Sequence, residues 1–389
     1  AKEPTPRQVR RLGRNILLDP STRPEGHDYH IPIGMSRKGP QWATLADLDS
    51  LLIGGTRRMG KSTWLNSMLY ALLSQHTPDE LQLVLIDPKA VEFLPWTGVP
   101  HLMAPPATEV AEIARVLQTL HDEIKARQGL FVQAGVRKLA DYNTKAAKPL
   151  PAILLVVDEV ADVAIQSGGS ASAVMKLLAA VIAKGGAFGV HAVLATQRPD
   201  ASAIAGLIKA NVASRIAFWL PSDLDYRLVL QPAKGARLPP IRHVPGRMIA
   251  RLSGRVLQVM QGFYVSDEMI ETLVRQWKTG AAVVAQLDDL EAEMVEYAVQ
   301  ELNGAFTISR LYEAFRGGIS KRRLEALART WERRGWLTPP KDAVTPRHVT
   351  PRLLQLAGLA LASKNGDTMT GVTGDDRDSR TVTGAVTRD

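Results

Sequence analysis

Short apolar runs and helically spaced apolar positions alternate along most of this chain. Leu51–Gly54 (LLIG), Leu81–Asp87 (LQLVLID), Ile153–Val157 (ILLVV), Val190–Ala195 and Arg215–Leu220 have the apolar character of strands buried on both faces. Between them, Lys61–Ser74, Thr108–Ala134 and Ala171–Lys184 read as helices. In the longest of these, Val110, Ile113, Ala114, Leu117 and Leu120 share one face. Strand and helix in alternation predict an α/β fold, a mostly parallel sheet covered on both sides. Gly246–Arg251 and Arg255–Gln261, joined by Leu252–Gly254, predict a terminal hairpin.

The pattern changes at 278–286, a small-residue stretch that reads as a linker. Residues 287–361 predict short helices and a basic, proline-containing end. Residues 362–389, rich in Thr, Gly and Asp and free of aromatics, predict a disordered tail. Residues 1–30 are polar and basic and read as an arm or the remnant of a preceding domain, which leaves 31–277 as the main domain. The basic opening leads into no apolar run, so it does not read as a secretion signal. No uncharged apolar run reaches the roughly 18 residues of a membrane-spanning helix.

Composition narrows the chemistry. With 389 residues, 45% hydrophobic and 22% charged, the chain can build full cores in two or three domains. It has no cysteine, which excludes disulfides, thiolate metal sites and thiol catalysis. A formal net charge of +9 suits a polyanionic partner or simply solubility.

Gly55-Thr56-Arg57-Arg58-Met59-Gly60-Lys61-Ser62, followed by Thr63, fits G-x-x-x-x-G-K-[ST] between a predicted strand and a predicted helix. In such a loop backbone N–H groups enclose the β-phosphate, Lys61 reaches the β- and γ-phosphates, and the Ser62 hydroxyl meets Mg²⁺. The helix adds its positive N-terminal end. Arg57, Arg58 and Met59 are bulky for such a loop, and their side chains are expected to face solvent. Some 100 residues on, Ile153–Val157 ends in Asp158-Glu159. Asp158 is placed to hold Mg²⁺ through water, and Glu159 to polarise the attacking water as general base. Gln197, closing the run Leu194-Ala-Thr-Gln, is placed as a polar sensor beside the γ-phosphate. The cofactors expected are ATP and Mg²⁺.

These segments, with IDPKAVEF (86–93), GVPHL (98–102), LLVVDEVAD (154–162), GVHAVLATQRPD (189–200), IKANVASRIAF (208–218) and GFYVSDEM (262–269), fall in the order and spacing of the FtsK/SpoIIIE motor domain, within the HerA–FtsK ATPases. The resemblance spans about residues 30–275. It implies a RecA-like P-loop ATPase fold, a homo-hexameric ring, and ATP-driven movement of double-stranded DNA through its channel. Residue by residue it makes Lys61 and Ser62 the Walker A pair, Asp158 and Glu159 the Walker B pair, and Gln197 the sensor. The chain departs from the family where Arg57-Arg58-Met59 replace small loop residues. It departs again where Gly186 stands in place of an arginine proposed to act across the subunit interface. Arg215, Lys184 and Arg57/Arg58 are the candidates to supply that charge instead.

Beyond the linker, Thr307–Phe315 and Lys321–Arg334 predict two helices around an Arg316-Gly-Gly turn, the second capped by Ser320. Leu324, Leu327, Ala328 and Trp331 form its apolar face; Lys321, Arg322, Arg323, Arg329 and Arg333 form a basic one. Between 305 and 348 ten Lys/Arg stand against four Asp/Glu. Gly335-Trp-Leu-Thr-Pro-Pro suits the start of a wing, so the segment predicts a small winged-helix domain that contacts DNA, and it resembles the FtsK gamma module in placement. The leading expectation is an ATP-dependent double-stranded DNA translocase with no small-molecule substrate other than ATP. A DNA-transfer motor of a conjugative element, plasmid or phage is the first alternative. An FtsK/SpoIIIE-type secretion ATPase is the second. A regulator that uses ATP only as a switch is countered by Glu159. The location expected is cytoplasmic, with any membrane association supplied by a segment or an anchored partner outside these residues.

Overall fold

A computed structural model of the chain describes residues 16–24, 29–146, 148–197, 211–253, 256–279, 289–333, 336–338, 340, 345–350, 353–354 and 357. The expected tail and most of the expected linker lie outside them, as does most of the expected arm. In chain order the strands are β1 (Ile16–Leu17), β2 (His30–Ser36), β3 (Gly39–Thr44), β4 (Ser50–Gly54), β5 (Leu81–Ile86), β6 (Ala152–Val157), β7 (Val190–Thr196), β8 (Ser214–Phe218), β9 (Arg247–Arg251), β10 (Gln258–Gln261), β11 (Phe263–Tyr264), β12 (Ala305–Phe306) and β13 (Arg347–His348). Nine of them form one sheet in the order β3-β2-β10-β9-β8-β4-β7-β6-β5.

The five apolar runs form the parallel part of this sheet, β8-β4-β7-β6-β5. Successive side chains on each strand point to opposite faces, so each run feeds two cores. Leu51, Ile53, Leu154, Val156 and Val193 lie in one, with the helix Lys61–Leu73. Leu52, Ile153, Leu155 and Leu194 lie in the other, with the helices Val110–Ala134 and Ala173–Gly185. Side chains buried at this level each contribute about 1.5–3 kcal/mol.

The other four strands continue the sheet antiparallel. The expected hairpin is there as β9–β10, and a second one, β2–β3, pairs with it through Gln261 and Met35. The connectivity places β4 between β7 and β8, both far later in the chain, so the phosphate loop and the acid-tipped strand β6 are separated by β7. All three strands release their loops at the same end of the sheet, the end where α/β sheets bind ligands.

Residues 289–357 have a core of their own, including Met294, Val295, Leu311, Leu324, Ala328, Trp331 and Trp336. The helices Asp289–Gln300, Ile308–Ala314 and Lys321–Arg333 surround it, and β12 pairs antiparallel with β13. Ser320 Oγ accepts from Arg323 N at 3.2 Å, the expected cap. Thr338 N donates to His348 O at 2.9 Å, so the expected wing segment runs beside β13. Among the described residues no helix is long and apolar enough to cross a membrane.

Candidate active site

The loop Gly55–Gly60 leaves the end of β4 and is tied down by its backbone. Gly55 N donates to Thr196 O on β7 at 3.1 Å, and Thr56 N to Trp219 O beyond β8 at 3.2 Å. Gly246 N donates to Met59 O at 2.8 Å. Gly60 has φ +109°, and a Cβ there would lie 2.8 Å from Gly246 N, so only glycine fits. No side chain caps the helix that follows, whose first backbone donors face the loop. Met59 is buried in the core, not directed to solvent as expected. The loop thus stands on an apolar anchor, while Arg57 and Arg58 are exposed.

Lys61 lies at the first position of that helix and is 4% exposed. Its Nζ donates to Asp158 O at 2.7 Å and to Asp158 Oδ1 at 2.5 Å. Glu159 is also buried. Its Oε1 accepts from Thr196 Oγ1 at 2.7 Å and its Oε2 from Gln197 N at 2.8 Å. Burial pushes its carboxyl above the ordinary carboxylate range, and those two hydrogen bonds oppose the rise. Gln197 turns its side chain back to the loop, where its Oε1 accepts from Arg57 Nε at 3.1 Å.

A cavity of about 350 Å³ lies over the loop, lined among others by Thr56, Arg57, Arg58, Gly60, Lys61, Ser62, Thr63, Asp158 and Gln197. The structure therefore brings the loop, both acids' strand end and the sensor position together. It also adds residues to which the sequence alone assigns no role. Asp87, at the tip of β5, accepts from the backbone N–H of Val91 at 2.8 Å and of Glu92 at 2.7 Å, folding 88–93 against the cavity. Glu92 hydrogen-bonds Ser62, and burial, then the charge of Asp158, raises its pKa. Pro245, Gly246 and Gly262–Tyr264 form another wall. The signals for these are the runs IDPKAVEF for Asp87 and Glu92 and GFYVSDEM for Gly262–Tyr264, whose residue types alone carry no chemistry.

The hydroxyl and carboxylate oxygens of Ser62, Asp158 and Glu92 are hard donors of the kind Mg²⁺ takes beside substrate phosphates. No all-protein metal cage occurs among the described residues.

Arg215 does not line the cavity over the loop. It is 1% exposed on β8, where NH1 donates to Val229 O and NH2 to Val212 O, each at 2.9 Å. Burial, with Arg251 nearby, lowers its pKa to about 10. In this chain its guanidinium serves two backbone carbonyls of its own subunit. Gly186 offers no substitute: a Cβ there would lie 1.6 Å from Asp49 Oδ1. In the C-terminal part, Lys321, Arg322, Arg323 and Arg329 are exposed, Arg329 lying 3.8 Å from Glu325. The side chain of Arg333 lies outside the described residues.

Residues 30–201 match the FtsK/SpoIIIE family. A DNA translocase FtsK of Mycobacterium tuberculosis (strain CDC 1551 / Oshkosh) is 33% identical over 399 residues, taking in 93% of this chain and 46% of that protein. The chain spans about half the length of that curated relative. Among solved structures, the pCW3 conjugation coupling protein TcpA, in a monomer form with ATPgS, gives a TM-score of 0.58 at 24% identity, covering 69% of this chain and 75% of that one. The cytoplasmic domain of the Thermomonospora curvata Type VII secretion ATPase EccC gives 0.56 at 26% identity, covering 67% and 32%. The fold is that of these P-loop ATPases.

Proposed function

The chain belongs to the FtsK/SpoIIIE family, and on that premise we propose that it is an ATP-driven motor that moves double-stranded DNA through a ring of its own copies, a homo-hexamer. The observation that carries this reading is one gathered site inside an alignment that covers 93% of the chain. Lys61, Asp158 and Gln197 line one cavity, Glu159 lines a second that shares Arg57 and Gln197 with it, and the relative that shares the alignment is a DNA translocase.

In this reading the backbone N–H groups of 55–63 and Lys61 hold the phosphates. Lys61 leaves Asp158 for the phosphates when nucleotide enters. Ser62 and Asp158 hold Mg²⁺, with Glu92 beside them; the ion supplies charge neutralisation on the β- and γ-phosphates. Glu159 takes a proton from water as the water oxygen bonds to the γ-phosphorus. The bond to the bridging oxygen breaks and ADP leaves. Gln197, bonded through its backbone to Glu159, orients the water. Residues 289–357 act as a winged helix: Lys321, Arg322 and Arg323 near the start of the 321–333 helix meet bases, and Arg329 and Arg333 meet phosphate.

The test is ATP hydrolysis by the full chain with and without linear duplex DNA. We expect stimulation by DNA. Glu159→Gln should keep nucleotide binding and lose turnover by about 10²–10⁴-fold, whereas Lys61→Ala should lose both. Wild-type turnover in Glu159→Gln removes the base assignment. The likeness to EccC favours a second reading, a secretion ATPase; hydrolysis indifferent to DNA would select it.

A further inference from the structure

The reaction places growing negative charge on the γ-phosphate oxygens, and a second cation beside the Walker lysine offsets it. Among the described residues four cations line the cavity over the loop: Arg57, Arg58, Lys61 and Lys89. Two already carry carboxylates. Lys61 sits on Asp158, and Lys89 Nζ lies 2.7 Å from Asp162 Oδ2. Arg57 differs. Its Nε donates to the neutral amide oxygen of Gln197, and it makes no ion pair among the described residues. Its whole charge and four further N–H donors remain for an anion. Arg58, exposed on the same turn, has no such link to the sensor.

The loop's shape aims Arg57. Thr56 is held to Trp219 O through both its N and its Oγ1, each at 3.2 Å. Met59 is buried below, and Arg58 takes φ +63° between them. That turn leaves Arg57 at the boundary of two cavities, the one over the loop and a second lined by Glu159, Asp162 and Gln197. A continuous chain then runs from Arg57 Nε to Gln197 Oε1, and from Gln197 N to Glu159 Oε2 at 2.8 Å.

We infer that Arg57 is the guanidinium that meets the γ-phosphate, that it acts within its own subunit, and that it reports phosphate occupancy to the water-activating pair Gln197–Glu159. A phosphate oxygen that draws the guanidinium forward pulls the Gln197 amide with it. That shift changes the hold of Gln197 N on Glu159, so the base is set only while a γ-phosphate is present. Arg57 thereby acts on turnover, at the γ-phosphate it touches, rather than as an anchor for nucleotide. The inference rests on the hydrolysis reading above and deepens it.

Steady-state hydrolysis by the full chain on linear duplex DNA tests it, with Lys61→Ala as the inactive reference. Arg57→Ala should lower kcat by about 10²–10³-fold, the loss seen when one transition-state donor is removed, while KM and binding of a fluorescent ATP analogue change by less than about threefold. Arg57→Lys, or guanidinium ion added to Arg57→Ala, should recover part of kcat, which a merely structural role would not allow. An equimolar mixture of Arg57→Ala and Glu159→Gln subunits should show no more than the sum of its parts, because each subunit is defective in its own site. Activity above that sum means that Arg57 serves a neighbour, and it overturns the assignment. Wild-type kcat in Arg57→Ala, beside inactive Lys61→Ala, overturns this inference alone. Wild-type protein no faster than Lys61→Ala overturns the hydrolysis reading and this inference with it.

Discussion

Replacing Arg215 by methionine separates a structural guanidinium from one that acts between subunits. Methionine keeps most of the stem and removes only the charged fork. The change leaves Val212 O and Val229 O without their donors, each now bonded at 2.9 Å. Unmade buried bonds of this kind cost about 1–3 kcal/mol each. Against this stands relief of the buried charge. The lowered pKa, about 10 where 12.5 is usual, corresponds to about 3 kcal/mol of strain on the charged form. The terms nearly offset, and Arg215→Met should destabilise by about 1–2 kcal/mol, lowering the melting point by about 3–6 °C for a domain of this size. Arg215→Ala adds an unfilled volume in a fully buried place and should cost about 3–5 kcal/mol. Thermal unfolding of both variants measures this, and ATPase assays of wild-type and Arg215→Met mixtures complete it. Activity should fall in proportion to the fraction of variant. An unchanged melting point with a more than proportional fall on mixing would refute the reasoning and restore Arg215 to the interface.

Removing residues 287–389 should leave DNA-stimulated hydrolysis largely intact but weaken binding to free duplex. It should also flatten the salt dependence by about 0.9 in log–log slope for each DNA phosphate that the segment neutralises; titrations at two salt concentrations against the full chain check it, and an unchanged slope would return the segment to a charged helical cap. Acid should destabilise the α/β domain from an identifiable source. His101 and His191 are buried, and burial lowers both pKa values below the ordinary 6.5. The unfolded chain therefore takes up protons first. Stability from this source is complete above about pH 6.5 and is lost as pH falls toward the folded values, by up to about 1.4 kcal/mol per pH unit for each imidazole. Melting curves at pH 7.5 and 5.5 should diverge less in His191→Asn than in wild type; equal divergence would remove His191 from the account.

The parallel strands were legible because a strand buried on both faces must be apolar at every position, and ILLVV or LLIG permits little else. The phosphate loop was legible because its glycines and lysine answer to a fixed geometry. The β2–β3 hairpin was not: HIPIGMS and GPQWAT mix Gly, Pro and polar residues, and their place in the sheet is set by β10, more than 200 residues later. The setting of Arg215 was not legible, because an arginine beside apolar residues looks the same in sequence whether it points to a neighbour or folds onto its own carbonyls. Asp87 and Glu92 gained their places only through the loop that Asp87 itself folds. Arg57 drew attention by its size, but its bond to Gln197 spans 140 positions and leaves no local trace.

The position of β4 between β7 and β8 has a consequence for synthesis. The strand that carries the phosphate loop is made by residue 54, yet its hydrogen-bonding partners are residues 190–196 and 214–218. At ribosomal rates of about 5–20 residues per second, it waits roughly 10–30 s for both. Until then LLIG is an apolar strand open at both edges, the kind of segment that aggregates and that a holding chaperone would cover. The phosphate loop is not held in a half-made domain, because Gly55 and Thr56 take their backbone partners from Thr196 and Trp219. A nucleotide held by this loop would therefore recognise only a sheet closed around β4, and by binding that state alone it would favour completion of the fold.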